Sequence, residues 1–160
     1  MSSTSQADQT KINEVLARYC ISVDFKEWDG QRQVFTTDAE VDYGPYDRAR
    51  QRGIDDIISL LRWAAHDRET LHQISTSLVR ESGDESADVA TYFTAYHTPP
   101  GDPATSFTAV GVYHDRFVRT SAGWRIAKRR VEPVAHFGDP SVMAHMFPAP
   151  PASGSATITA

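Results

Sequence analysis

Three residues far apart in the chain are of the types that proton-transfer chemistry uses: Asp24, His72 and His97. A neutral imidazole is a competent general base near pH 7. A carboxylate bonded to its far ring nitrogen fixes the tautomer and stabilises the imidazolium formed when the base takes its proton. Tyr19 and Tyr43 could add hydroxyl donors to a developing enolate oxygen. An Asp–His pair without a serine nucleophile points to proton abstraction from carbon and not to acyl transfer, and no Gly-x-Ser-x-Gly motif occurs. Each residue alone also has an ordinary explanation. A carboxylate at a helix edge is commonly just solvated, a histidine at a strand end is commonly a satisfied core or rim residue, and tyrosines are common wall residues.

Metal, nucleic-acid and membrane chemistry have little support. The six histidines (His66, His72, His97, His114, His136 and His145) form neither a His-x-x-x-His pair nor a His-Glu-x-x-His helix. Asp24, His72 and His97 meeting across a hairpin is the one metal arrangement left open, and neither a metal nor a cofactor is expected. With 16 Lys+Arg against 21 Asp+Glu the net charge is −5, and the single basic cluster, Lys128-Arg129-Arg130, is too short for a nucleic-acid footprint. No apolar run reaches membrane-spanning length, and the polar N-terminus lacks the apolar segment of a signal peptide, so a cytoplasmic protein is expected. The one cysteine, Cys20, excludes an intramolecular disulfide and reads as a buried thiol.

The elements that must position these groups follow from periodicity. Residues 1–8 read as a disordered leader. Ile12, Val15, Leu16, Tyr19 and Val23 recur at helical spacing and predict a helix over 8–24. A turn with a short second helix over 25–35, a short strand over 39–43 and a helix from Gly53 follow. The period then changes from 3.6 to 2, predicting strands over 72–81, 87–98, 107–119 and 124–135. Residues 9–147 are expected to form one α+β domain, with N-terminal helices packed on a curved, mostly antiparallel sheet that encloses a cone-shaped barrel interior. Val142, Met143, Met146 and Phe147 form an apolar turn that either plugs the cone's mouth or covers the sheet edge. Residues 148–160, rich in Pro, Ala, Ser, Gly and Thr, are expected to be disordered.

Five segments carry a resemblance: Ile12–Tyr19 with Asp24, Phe35–Ala39, Leu71–Ile74, Gly111–Asp115 and Gly123–Ile126. Together they resemble the SnoaL-like, scytalone dehydratase-like branch of the nuclear transport factor two-like superfamily, which includes bile acid 7α-dehydratase. The resemblance spans roughly residues 10–135. It implies that Asp24 orients His72 as the base, with Tyr19 and Tyr43 flanking the aspartate and His97 as a second active-site histidine. It also implies a cavity-facing arginine on the last strand, Arg129 or Arg130, of which alternation allows only one to point inward. Val23 departs from the pattern, standing where scytalone dehydratase has a tyrosine.

The resulting expectation is a cofactor-independent lyase. His72 would remove a carbon-bound proton from a small, cyclic, apolar carbonyl compound, and His97 would protonate a departing hydroxyl. An isomerase or cyclase using the same pocket, or a non-catalytic binding subunit, are the alternatives. Tyr19, Phe25, Trp28, Tyr43, Trp63, Phe93 and Tyr113 are candidate aromatic walls, and Arg129 a candidate substrate contact. A homo-oligomer is expected, with a trimer favoured by the resemblance.

Overall fold

The computed structural model describes residues 5–45 and 48–146. What the sequence leads one to expect of residues 1–4, of Phe147 and of the tail from 148 lies outside that range. Helix α1 (Gln6–Asp24) is capped by Ser5, whose hydroxyl accepts from the Asp8 N–H at 3.1 Å. Gln6, Ala7 and Asp8 therefore belong to the helix and not to a leader. Ile12, Val15, Leu16, Tyr19, Cys20 and Val23 form its buried stripe. Burial pushes the Cys20 thiol up to about 11, so it is inert core.

A 3-10 helix (Trp28–Gln33) leads into strand β1 (Phe35–Asp42). Strand β2 (Arg50–Arg52) pairs antiparallel with β1, and helix α2 (Ile54–Ala64) follows Gly53, which takes φ +91°. Four long strands complete the sheet: β3 (Glu69–Ser82), β4 (Ser86–Thr98), β5 (Phe107–Thr120) and β6 (Gly123–Gly138). The strand order is β2-β1-β6-β5-β4-β3, antiparallel except for the β1–β6 pair. The architecture is the expected α+β one, but the sheet does not close into a full barrel. Strands β2 and β3 are its edges, with α1 packed on β3 and β6 and α2 on β1.

Curvature comes from irregular pairing. Register shifts fall between Ile74 and Ser77 and between Val79 and Glu81, where β3 carries the extra residue, and opposite Val110–Gly111 and Arg116–Phe117 of β5, where β6 carries it. Bulges of this kind bend a strand and increase its twist, which lets long strands wrap around helices. Tyr113, Phe117, Trp124 and Ile126 from β5 and β6 meet the α1 stripe in one core. Asp8 ties the start of α1 to the sheet, accepting from Trp124 Nε1 at 3.0 Å and Arg119 Nη2 at 2.7 Å.

Gly111 sits opposite one of the β6 irregularities. A β-carbon there would lie 2.9 Å from the Phe93 ring and against the Glu132 carbonyl oxygen. We predict that Gly111→Ala lowers stability by about 1–3 kcal/mol, as overpacking in a close-packed interior does, read as a lower melting temperature by calorimetry.

Candidate active site

Asp24 ends α1 and faces β3. Its Oδ1 accepts from His72 Nδ1 at 2.7 Å and from the Thr70 hydroxyl at 2.9 Å, and its Oδ2 accepts the His72 backbone N–H at 2.8 Å. The side chains of Asp24 and His72 are only 9% and 10% exposed. Burial pushes the Asp24 carboxyl up, but the hydrogen bonds from the His72 ring and backbone, with its attraction to the imidazole and the Thr70 bond, outweigh it and hold Asp24 below its ordinary value. A carboxylate only accepts, so His72 Nδ1 carries the hydrogen and Nε2 is left as the basic nitrogen. Lys26 Nζ donates to the Thr70 hydroxyl at 3.3 Å.

The hydroxyls of Tyr19 and Tyr43 lie 2.9 Å apart. Burial raises the pKa of both, well above the ordinary value for Tyr19, so both stay protonated donors. Behind them lies a fully buried ion pair: Arg129 Nε and Nη2 donate to the two Asp115 carboxylate oxygens at 2.8 and 2.7 Å. The guanidinium carbon is 4.2 Å from the Tyr19 ring centre and 4.1 Å from that of Tyr113. The positive charge of Arg129 partly offsets the effect of burial on Tyr43.

His97 lies on β4 with its ring centre 5.9 Å from that of His72, and its Nδ1 is buried with no hydrogen-bond partner. Burial, reinforced by the nearby His72, Arg68 and Lys26, pushes its pKa down to about 3. His97 is therefore neutral at physiological pH and presents a polar imidazole, not an acidic imidazolium.

A partly enclosed cavity of about 410 Å³ brings the two histidines and the two tyrosines together. Tyr19, Tyr43, Thr70, His72, Phe93, His97 and Tyr113 line it, the rest of the wall is mostly aliphatic, and no lining residue is Lys, Arg, Asp or Glu. Met143 and Met146 also line it, so the apolar turn before the tail lies at the cavity. A larger open depression of about 630 Å³ is lined mainly by charged residues, several of them paired there, Lys128 with Glu40 and Arg116 with Asp88 among them. It is lined by neither His72 nor His97, so the 410 Å³ cavity is the candidate site.

Several expected wall residues are elsewhere. Trp28 packs on the core with Arg62 over its ring, Trp63 packs against His145, and Phe25 is 69% exposed. Arg129 points inward and Arg130 outward, but Arg129 is consumed by Asp115 behind the tyrosines and does not line the cavity. Thr70 and Asp115 were missed by sequence reasoning, although period 2 carries the signal: Thr70 shares a face with His72, and Asp115 shares the buried face of Tyr113 and Phe117. Among the described residues, no group of three or more His, Cys, Asp or Glu is placed to hold a metal ion.

A family model described as a SnoaL-like domain matches residues 4–130. The chain belongs to that family. An uncharacterized protein of Mycobacterium tuberculosis, Rv2910c, is 27% identical over 130 residues, covering 77% of this chain and 83% of that protein. The SnoaL-like fold seen here is shared by a candidate scytalone dehydratase from Novosphingobium aromaticivorans (TM-score 0.76, 18% identity, 87% of this chain and 92% of that one). It is shared also by the hexachlorocyclohexane dehydrochlorinase LinA type 2 (TM-score 0.72, 16% identity, 91% and 95%). At these identities the likeness is one of fold.

His97 yields a pH prediction. With a folded pKa of about 3 against 6.5 unfolded, the unfolded chain binds the extra proton between those values, so stability falls as pH drops from 6.5 toward 3. In His97→Leu that contribution is absent. Urea melts at pH 6.5 and pH 4.5 should show the wild type losing about 2 kcal/mol more than the variant.

Proposed function

We propose that the protein is a lyase that removes water from a small, uncharged, ring-containing hydroxy-carbonyl compound, with His72 as the base. The observation that carries this reading is the 2.7 Å Asp24–His72 bond behind the cavity wall that His72 lines, which leaves Nε2 of the ring for substrate. A wall without formal charges suits an uncharged substrate, because a bound ion there would lose its hydration without gaining a counter-charge. The two structural neighbours are named for eliminations, one a candidate dehydratase and the other a dehydrochlorinase.

In this mechanism the His72 Nε2 lone pair takes the proton from the carbon next to the substrate carbonyl. The C–H electrons form the enolate, whose oxygen accepts from the Tyr19–Tyr43 hydroxyl pair. Asp24 stabilises the imidazolium. The enolate then collapses, the carbon–carbon double bond forms, and the β-hydroxyl leaves with the proton returned by His72, so that water is released. His97, being neutral, orients the departing hydroxyl by hydrogen bonding and does not protonate it. No step calls on a cofactor.

Incubating the protein with a panel of uncharged cyclic β-hydroxy ketones and weighing the products tests the reaction class. Loss of one water is expected, whereas unchanged mass would mark the isomerase or cyclase alternative. On the substrate so found, His72→Ala and Asp24→Asn should lower kcat by about a hundredfold or more, the usual worth of a positioned base. Wild-type turnover in both variants would remove the base assignment. Tyr43→Phe keeps the ring but removes one donor, and a kcat loss of about a hundredfold with little change in KM is expected in steady-state assays.

A further inference from the structure

The end of α1 places a lysine where its helix-ending motif favours glycine. The Glu27 N–H bonds to the Ser22 carbonyl at 2.8 Å and the Lys26 N–H to the Val23 carbonyl at 3.2 Å. These are the paired bonds of a helix-ending motif whose left-handed position is usually glycine. Here that position is Lys26, with φ 60°. A β-carbon is disfavoured in this conformation, and such outliers persist where the surroundings make use of them.

The use is at the far end of the side chain. Half-buried Lys26 extends to the Thr70 hydroxyl (3.3 Å), and Thr70 donates to the same Asp24 oxygen that His72 Nδ1 contacts (2.9 Å). Asp24 stands at the C-terminus of α1, where the helix dipole disfavours an anion, and the last turn of the helix holds no basic residue. Lys26 is the cation just beyond it. The Thr70 hydroxyl, accepting from Lys26, is left with its proton directed at Asp24.

We propose that Thr70 and Lys26 are positioning residues, which hold Asp24 in the one orientation that bonds the His72 ring and backbone together. The inference rests on the proposed role of the Asp24–His72 pair. Thr70 fills one acceptor direction of Oδ1 and so stops the carboxylate from rotating away. Lys26 holds the threonine hydroxyl in register and offsets the helix-end charge.

The test needs no substrate. In protein labelled with ¹⁵N-histidine, the His72 Nδ1–H should give a low-field, slowly exchanging proton resonance that Asp24→Asn abolishes. Thr70→Val and Lys26→Gly should each speed its exchange with water roughly tenfold, the worth of one lost hydrogen bond, and Thr70→Ser should restore it. Lys26→Gly relieves the left-handed strain, so its melting temperature should equal or exceed that of the wild type. In the Thr70→Val background, Lys26→Gly should add little, because its effect passes through the threonine. Unchanged exchange in both single variants overturns the proposal, and unchanged exchange in Lys26→Gly alone overturns the assignment of Lys26. If the wild type shows no such resonance, the Asp24–His72 pair itself fails, and this inference with it.

Discussion

A carboxylate at the C-terminal end of a helix is in the wrong place electrostatically, and the candidate site is organised around keeping it there. The last carbonyls of α1 put partial negative charge beside Asp24. What holds the group ionised is a set of three donors from a single strand: the Thr70 hydroxyl, the His72 backbone N–H and the His72 ring. Removing those donors would leave a nearly buried carboxylate beside a like partial charge, which favours protonation and a neutral acid. The ring of His72 is thus oriented by the same bonds that keep its partner charged.

This arrangement makes demands on distant parts of the chain. Helix α1 must end at the level where β3 presents Thr70 and His72, and a helix that slid by one turn would miss both. The Asp8 bonds to Trp124 and Arg119 fix the other end of the helix against β5 and β6, so its axial position is set at both ends. His97 then enters through the sheet: Thr70 pairs with His97 across the β3–β4 ladder, which brings the second imidazole beside the first. The bulges in β3 and β6 bend the sheet around the helix, and without them the long strands would diverge from α1 and leave the cavity open.

How much of this was legible in the sequence follows from which interactions leave a periodic trace. The α1 stripe, the α2 face and the four long strands announce themselves through apolar repeats, and the meeting of Asp24 with His72 and of Tyr19 with Tyr43 was expected from the family resemblance. Strand β2 could not be read, because Arg50-Gln51-Arg52 has no apolar alternation and is held by backbone pairing at an edge. The parallel pairing of β1 with β6 was equally hidden, since it joins segments about ninety residues apart and depends on sheet order, not on local pattern. Trp28 and Trp63 misled because size and hydrophobicity are the same whether an indole fills a core or a cavity wall. Lys26 left no trace at all: its role comes from a backbone angle and one long side chain.

Arg129 shows why an inward-pointing charge is not always a binding charge. Had its guanidinium projected into the cavity, it would attract any anion and bind substrate and product carboxylates in their ground states, which lowers KM without lowering the barrier. Instead Asp115 neutralises it, and its guanidinium lies against the rings of Tyr19 and Tyr113. What remains in reach of the cavity is its effect on the Tyr43 hydroxyl, which it makes a better donor than burial alone would allow. A donor of that kind bonds a carbonyl oxygen weakly and an enolate oxygen strongly. In the proposed reaction the buried pair therefore acts only as negative charge develops, and the wall that the substrate first meets stays uncharged.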